Sequence, residues 1–396
     1  MSCPPSVDDP VSRAWAYLSR VAEPPCAELA ELVRCSGPVE AADRIQRGLV
    51  SGNLRRHTES RRGIDRAAHD LEQLARRGGR LITPDDDEWP GFAFAAFGGA
   101  GVQARRPCAG PPLVLWAVGP ARLDKTAERA AAVVGTRAAT AYGEHMAADL
   151  AVGLAQRDVA VVSGAAYGID GAAHRAALAC DGSTVAVLAS GLDVHYPAGH
   201  AGLLHRIAQH GLLFTEYPLG IRPARHRFLT RNRLVAAVAG AAVVVEAGLR
   251  SGAANTAAWA RALGRVVAAV PGPATSSASA GCHNLLRDGA ELVTRADDVV
   301  ELVGRIGELA PEEPRPTTVF DQLSAAERHV YDALPGRGTA TIDEIAVAAA
   351  LVPAQILGPL ATLEVAGLAE QREGRWRIVR AGPAQAAAEP IKQRLV

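Results

Sequence analysis

Seven short apolar runs in the middle of the chain constrain the fold more than any other feature of the sequence. Helical patterns separate most of them, so strands and helices alternate. The runs are apolar throughout rather than at every second position, which indicates strands that are covered on both faces of a parallel sheet. The sequence therefore predicts an α/β domain over 113–305 with an extended Rossmann-like, doubly wound parallel sheet. The runs lie at 113–119, 131–135, 159–164, 184–191, 212–216, 242–248 and 266–272.

The segments on either side of this block predict two further domains. Residues 1–90 predict an N-terminal all-helical domain of SAM or helix-hairpin-helix type, because their amphipathic patterns end at glycines, which favour helix C-termini. Residues 91–112 are a loop-rich connection. A proline-rich linker over 306–318 should be extended. Three helical patterns and a hairpin with Gly374 at its turn predict a winged-helix domain over 319–380, followed by a tail over 381–396.

Composition limits the kinds of partner. Lysine plus arginine and aspartate plus glutamate both number 42, so any nucleic-acid site must be a local patch. The six cysteines form no C-x-x-C pair, so the sequence predicts no metal site and fits reduced thiols in the cytoplasm. We find no signal peptide and expect no membrane segment. The acidic run over 85–88 is interpreted as a solvated turn.

The loop after the second apolar run carries residue types that bind phosphate. Gly135, Thr136 and Arg137 could offer backbone amides, a hydroxyl and a guanidinium to one phosphate. The alternative is a plain strand-to-helix turn with an exposed arginine.

The next loop contains Ser163 and Gly164, which could offer a hydroxyl and an unshielded amide, and Gly168, which permits close backbone approach. Asp170 could cap the following helix and lies four residues before His174. We interpret these two as structural braces of the loop rather than as a catalytic acid and base. Neither a G-x-G-x-x-G nor a Walker motif is present, so we expect no nucleotide cofactor.

Two further stretches complete a phosphate-binding edge. Residues 222–233 hold five arginines and Phe228 without an acid, which suits a nucleic-acid backbone with stacked bases. Internal pairing of these arginines with Glu216 or Glu246 is the alternative. Arg250, Ser251 and Gly252 precede a small-residue helix whose N-terminus could bind phosphate, although tight helix packing explains the small residues equally well. Because all four loops follow strands, they should form an edge longer than one nucleotide.

The order of these motifs resembles the DNA-processing protein A (DprA/Smf) family. The resemblance covers the whole α/β block, and "LITPDDDEWP" and the winged-helix pattern extend it to nearly the whole chain. The residues that carry it are Gly135-Thr136-Arg137, Tyr142-Gly143, Ser163-Gly164, Gly168-Ile169-Asp170, His174, Tyr196-Pro197, Arg231-Asn232-Arg233, Ser251-Gly252, Thr256-Ala257 and Pro271-Gly272.

The resemblance implies a non-enzymatic protein that binds single-stranded DNA, protects incoming strands during natural transformation and loads the RecA recombinase. It also implies a homodimer formed through the Rossmann-like domain. Matched motif by motif, DNA phosphates would contact Gly135, Thr136, Arg137, Ser163, Gly164, Arg231, Asn232 and Arg233, and Phe228 would stack on a base. The family often has lysine or arginine where this chain has Tyr167, so a stacking or hydroxyl contact would replace a charge there.

Two alternative functions remain: an enzyme with a similar sheet, and a structural or regulatory partner whose DNA site is vestigial, which Tyr167 leaves open. A nucleotide phosphoribohydrolase of the lysine-decarboxylase-like group has a similar sheet, but its PGGxGTxxE signature is absent, and the chain reads Pro271-Gly272-Pro273 at the corresponding strand end. For the winged helix, the third helical pattern, 353–368, has no lysine or arginine. Because recognition helices need such residues to read bases, we interpret this domain as a protein-contact or regulatory module.

Overall fold

A computed structural model describes residues 9–99, 102, 109–305, 307–310 and 319–379. The predicted tail, most of the predicted linker and part of the predicted connection lie outside the described residues. The chain divides into two compact units, residues 1–311 and 312–396.

A nine-stranded sheet is the centre of the first unit, within the described residues. Each of the seven apolar runs forms one of its strands, which confirms the predicted α/β fold. The strands are β1 (Gly79–Ile82), β2 (Leu115–Val118), β3 (Ala130–Val134), β4 (Ala160–Ser163), β5 (Thr184–Val187), β6 (Leu212–Thr215), β7 (Ala241–Val244), β8 (Val266–Ala269) and β9 (Glu291–Leu292). Their order is β1-β2-β6-β5-β4-β3-β7-β8-β9.

The strand directions differ from the prediction at one edge. The strands from β6 to β9 in this order pair in parallel. β2 was expected to belong to the parallel set, but it runs antiparallel to β6 and pairs antiparallel with β1. Strand direction depends on the path of the connecting chain, which the apolar pattern of a single strand does not encode.

Helices cover both faces of the sheet, as a doubly wound fold requires. They are α6 (Leu123–Glu128), α7 (Ala141–Ala155), α8 (Ile169–Ala179), α9 (Ala201–His210), α10 (Arg225–Ala237), α11 (Gly252–Ala262), α12 (Ala280–Arg287) and α13 (Ala296–Val303). Alternate strand residues enter different cores: Ala132 and Val134 pack with α10 and α11, whereas Ala131 and Val133 pack with α7 and α8. The winding reverses between β3 and β7, which is where sheets of this kind bind ligands.

The N-terminal helices do not form a separate domain with its own core. They are α1 (Pro10–Val21), α2 (Ala27–Gln46), α3 (Gly52–Thr58), α4 (Ala67–Arg76) and the short α5 (Gly91–Ala95). Trp15 and Leu71 share one apolar core with Trp116 of β2 and Leu213 of β6. The structure therefore differs from the predicted 1–90 domain, because burying the apolar faces of these helices requires the sheet, and because β1 belongs to that sheet.

The predicted helix break in this region is present. The two amphipathic patterns before and after Gly37 merge into α2, but Gly37 has a φ of +75°, which a helix cannot contain. Pro38 follows it, and proline suits the start of the second half. The sequence signals for these two helical segments were therefore correct.

The second unit has the predicted three helices and hairpin: α14 (Ala325–Asp332), α15 (Ile342–Ala349), α16 (Pro353–Val365), β10 (Ala369–Arg372) and β11 (Arg375–Ile378). Gly374 and Glu373 occupy the turn with positive φ. Val330, Ile356 and Trp376 belong to its own core.

Among the described residues, no single helix has the length and apolarity to span a membrane. α15 and α16 pass that test only when counted together, and they are bent by 104° relative to each other. Several of their apolar side chains pack inside the winged-helix core.

Candidate nucleic-acid interface

An open cleft of about 860 Å³ lies at the carboxyl ends of the central strands, at the point where the winding reverses. Its lining comes from the loop after β3, the loop after β4, the segment 223–235 and the segment 248–256, together with Tyr196. The four segments that were predicted to lie side by side therefore do line one cleft.

The loop after β3 is held in place by backbone contacts. A Cβ on Gly135 would overlap the side chain of Ile169, so only glycine fits there. The Thr136 amide donates to the carbonyl of Glu246, 2.7 Å away. Arg137 then projects from the loop with an exposed side chain, and its guanidinium carbon lies 5.2 Å from the centre of the Phe228 ring.

Glu246 at the end of β7 is the anchor of this region. Its buried carboxylate accepts hydrogen bonds from the amide of Thr140 at 2.8 Å and from its hydroxyl at 2.7 Å. Thr140 in turn caps the N-terminus of α7. Glu246 therefore pairs with Thr140 and does not neutralise the arginine-rich stretch, so this alternative is wrong for Glu246.

The loop after β4 differs from the predicted mode of contact. Ser163 is fully buried, and its hydroxyl donates to the carbonyl of Val133 at 2.7 Å, so it is not available to a ligand. Asp170 accepts from the amides of Gly164 at 3.1 Å and Ala166 at 3.3 Å. The Gly164 amide, expected to be free, is therefore occupied from within the loop.

Asp170 thus shapes the loop, and His174 contributes separately. Burial raises the pKa of Asp170, while the nearby charge of Arg231 lowers it. Among the described residues His174 pairs with Thr184 rather than with Asp170: its Nδ1 lies 2.7 Å from the hydroxyl of Thr184. Burial lowers the pKa of His174 to about 3, so this side chain is neutral.

Gly168 and Tyr167 connect the β4 loop to its surroundings in different ways. Gly168 has a φ of +73°, and a Cβ there would overlap the carbonyl oxygen of Thr136. The hydroxyl of Tyr167 accepts from the amide of Gly199 at 3.2 Å, and its ring packs edge-on against His200 at 4.7 Å. Tyr167 does not line the cleft, so the position often occupied by a cation in the family here carries a structural contact.

The arginine-rich stretch begins just before α10 and continues into the helix as far as Arg233, and its arginines have different environments. Arg233 is fully buried, pairs with Glu216 and lies 5.4 Å from the centre of the Phe97 ring. The prediction that Arg233 holds a phosphate does not fit this position, and the alternative pairing with Glu216 does. Arg227 pairs instead with Glu23, whose oxygen lies 2.6 Å from its Nε.

Arg231 is also buried, but it borders the cleft. It donates to the carbonyl of Gly164 at 2.8 Å and to the carbonyl of Val187. The pKa of Arg231 is lowered to about 10, chiefly by burial; Asp170 opposes this change and the nearby Arg137 adds to it, so the two cations lie close enough to repel each other. An anion between them would relieve that repulsion.

Asn232 joins α10 to the start of α11. Its side-chain amide lies 3.4 Å from the carbonyl of Gly252 and 3.3 Å from the side-chain oxygen of Asn255. The hydroxyl of Ser251 accepts from the amide of Ala254 at 3.3 Å and so caps α11. The N-terminus of this helix opens into the cleft, where its dipole favours an anion.

The charge of the cleft is strongly positive. Arg137, Arg225 and Arg250 are exposed, line the cleft and have no carboxylate partner among the described residues. Asp170 is the one carboxylate in the lining formed by described residues, and two amides already engage it. This charge pattern is typical of a phosphate-binding surface.

Two contributors were missed by sequence reasoning. Tyr196 lines the cleft with 42% of its surface exposed, and its ring lies 5.3 Å from that of Phe228. Arg225 was recognised only as part of the arginine-rich stretch. The helical period of α10 does not separate the exposed Arg225 from the buried Arg233, because residues eight positions apart lie within about 80° of each other around a helix.

A doubly wound sheet with an open, cationic and partly aromatic cleft at its winding reversal defines a Rossmann-like protein built for a polyanion. Comparison with known sequences makes this specific. The family described as DNA recombination-mediator protein A matches residues 80–304, and the DprA winged helix domain matches residues 311–375. The chain belongs to the DNA recombination-mediator protein A family, also named DprA or Smf, which confirms the resemblance.

Individual relatives agree with this assignment. A Mycobacterium tuberculosis protein, provisionally named DNA processing protein DprA, is 79% identical over 388 residues, which are 98% of this chain and 100% of the relative. The DNA processing protein DprA of Streptococcus pneumoniae is 41% identical over 169 residues, 43% of this chain and 60% of that protein.

Solved structures agree as well. The X-ray structure of DprA from Streptococcus pneumoniae matches with a TM-score of 0.57 and 27% identity, covering 76% of this chain and 96% of that one. This is therefore a member of a DNA-processing, recombination-mediator family with a Rossmann-like domain and a winged helix.

Proposed function

We propose that this protein binds single-stranded DNA along the cleft, without catalysing a reaction, and passes the strand to the RecA recombinase. The observation that carries the proposal is that one open cleft holds an aromatic pair and three exposed arginines with no carboxylate partner in the described part of the chain. Arg137, Arg225 and Arg250 would contact phosphates, and Phe228 and Tyr196 would contact bases.

The aromatic pair supports a single strand over a duplex. In a duplex the bases are stacked within the helix, so rings on a protein surface cannot lie against their faces. In a single strand each base has a free π-face, and stacking on an aromatic ring is tolerant of sequence. Arg137 above Phe228 places a cation where the phosphate beside a stacked base would lie.

Under this proposal some of the predicted contact residues shape the loops or support the fold, and others contact DNA. Gly135, Thr136, Gly164 and Gly168 shape the loops, and Arg231 and Asn232 join them to α10 and α11. Ser163 and Arg233 support the fold from its interior. The DNA contacts proper would be the exposed arginines, the two rings and the N-terminus of α11, including Gly252.

The absence of a catalytic role is part of the proposal. The carboxylate of Asp170 is held by two amides of its own loop. His174 is neutral and engaged with Thr184, so it is no proton donor to a cleft ligand. His174 is fully buried and does not line the cleft, and the two amide bonds hold Asp170 in the shape of its own loop, which supports a structural role for both groups.

Transfer of the strand to RecA, and dimerisation through the Rossmann-like domain, are supported by membership of a recombination-mediator family. We propose natural transformation in the cytoplasm as the setting. RecA filament formation on DNA covered by single-strand binding protein should accelerate when this protein is added. Sedimentation analysis should give twice the monomer mass, and a monomer that remains active would contradict the dimer.

A salt titration tests the central proposal. Binding to a single-stranded oligonucleotide should be tighter than binding to a duplex of the same length. The logarithm of the single-strand binding constant should fall linearly with the logarithm of salt concentration, by about 0.7 for each phosphate contact. Equal affinity for both forms, or no salt dependence, would overturn the proposal.

A further inference from the structure

We propose that Cys26, Glu28 and His57 form a Zn²⁺ site that ties the start of α2 to α3. The three side chains belong to the N-terminal helices and do not line the DNA cleft. The site was not predicted from the sequence, because its ligands follow no C-x-x-C spacing and His57 lies 31 residues after Cys26.

The ligand atoms already form a triangle of suitable size. The Cys26 sulfur lies 3.4 Å from Nδ1 of His57 and 3.8 Å from a carboxylate oxygen of Glu28. That oxygen and Nδ1 of His57 are 4.0 Å apart. Zinc bonds of about 2.3 Å to sulfur and about 2.0–2.2 Å to nitrogen and oxygen, at tetrahedral angles, separate ligand atoms by about 3.3–3.6 Å. Small side-chain rotations would therefore bring all three onto one ion.

The chemistry of the three donors selects zinc. A thiolate, an imidazole and a carboxylate are all common zinc ligands, whereas Mg²⁺ and Ca²⁺ prefer oxygen alone. Three protein ligands leave a fourth position for water, and the partial exposure of the cluster gives water access. The side-chain amide of Asn53 lies 3.3 Å from the other oxygen of Glu28 and would orient its carboxylate, as partners of metal ligands commonly do.

The helix ends at this point lack side-chain caps. Cys26 is the N-cap of α2, but its side chain makes no capping hydrogen bond. α3 has only seven residues, and its N-cap, Ser51, makes no capping hydrogen bond either. A metal bond would hold α3 against α2 and fix the segment that carries Glu23, the partner of Arg227.

The test uses the full-length protein with Co²⁺ as a spectroscopic substitute for Zn²⁺. A cobalt–thiolate charge-transfer absorption should develop with one equivalent of Co²⁺ and disappear on addition of Zn²⁺. Cys26→Ser should abolish this absorption. The variant should fold, because serine is a better N-cap than cysteine, and circular dichroism checks this.

Cys35→Ser is the matched control, because Cys35 is an exposed cysteine of the same helix that contacts Glu31 instead. It should keep the absorption. His57→Ala should weaken Zn²⁺ binding in a competition assay by at least the roughly 10–100-fold that losing an outer-shell partner costs. No absorption in the native protein, its persistence in Cys26→Ser, or its loss in Cys35→Ser would each overturn the proposal.

Discussion

The guanidinium of Arg137 lies 5.2 Å from the centre of the Phe228 ring, joining the loop after β3 to the helix that follows β6. The two residues are 91 positions apart in the sequence, one before α7 and one in α10, which are helices on opposite faces of the sheet. A cation over an aromatic face is a modest attraction by itself. The contact matters because it places Arg137, which could bind a phosphate, beside Phe228, which could stack on a base.

Arg137→Ala should weaken single-stranded DNA binding roughly ten-fold, because a charge-assisted phosphate contact is lost. The slope of the salt titration should become shallower by about 0.7. Thermal unfolding should change little, since Arg137 is exposed. Arg206→Ala, at an exposed arginine of α9 away from the cleft lining, is the control and should leave both quantities unchanged. A large loss of stability in Arg137→Ala would instead make Arg137 a structural residue.

Phe228→Ala should reduce affinity for single-stranded DNA by about 1–3 kcal/mol, the usual contribution of one stacked base. The salt slope should remain that of the native protein, because no phosphate contact is removed. Phe228→Leu keeps apolar volume beside Tyr196 and should lose nearly as much affinity. If Phe228→Leu bound as tightly as the native protein, stacking would not be the role of the ring.

Arg233→Met should destabilise the fold by about 3–5 kcal/mol, because Glu216 is left as a buried, unpaired carboxylate. Combining it with Glu216→Leu should restore much of that stability, since both charges are then gone. Urea unfolding measures both effects. The double variant should retain its DNA affinity, and a large loss of affinity at native stability would show that Arg233 contacts DNA after all.

Acid should destabilise the protein through His174. The Thr184 hydroxyl donates to the carbonyl of Val161, so its oxygen accepts the Nδ1 proton of a neutral His174. Its pKa of about 3 in the folded state lies below the ordinary value of 6.5, so the unfolded chain binds the additional proton. The contribution of neutral His174 to the free energy of unfolding is fully present above pH 6.5. It falls as the pH drops toward 3, and the loss is about 2 kcal/mol at pH 5.

His174→Asn checks this origin, because asparagine can still donate to Thr184 but does not titrate. The free energy of unfolding, measured by urea between pH 4.5 and pH 7, should depend less steeply on pH in the variant. At the lower pH the two slopes should differ by nearly the amount that uptake of one proton on unfolding produces. Parallel pH curves for the two proteins would be inconsistent with a buried neutral His174.

The winged helix should not bind duplex DNA in a sequence-specific way. Its third helix, α16, carries no lysine or arginine, and the wing arginines Arg372, Arg375 and Arg377 pair with glutamates. Residues 312–396 form a compact unit with their own core, so the fragment can be studied alone. Tight, sequence-specific binding of this fragment to a duplex in a mobility-shift assay would contradict the prediction.

The local pattern of the chain was sufficient to predict most of the fold. An apolar strand such as 159–164 is recognisable because every residue must be buried when helices cover both faces of the sheet. The glycine breaks of the N-terminal helices and the turn at Gly374 were equally local. The direction of β2 and the shared core of Trp15 and Trp116 were not local, because they depend on which faces meet.

The sequence by itself determined which loops meet at the cleft, because parallel strands bring their carboxyl ends to one edge of the sheet. Only the tertiary structure decided which side chains face solvent there. Arg225 and Arg233 are the same residue type on one helix, yet one lines the cleft and the other is buried against Glu216. Burial depends on what packs against each turn of the helix, and those partners come from distant segments of the chain.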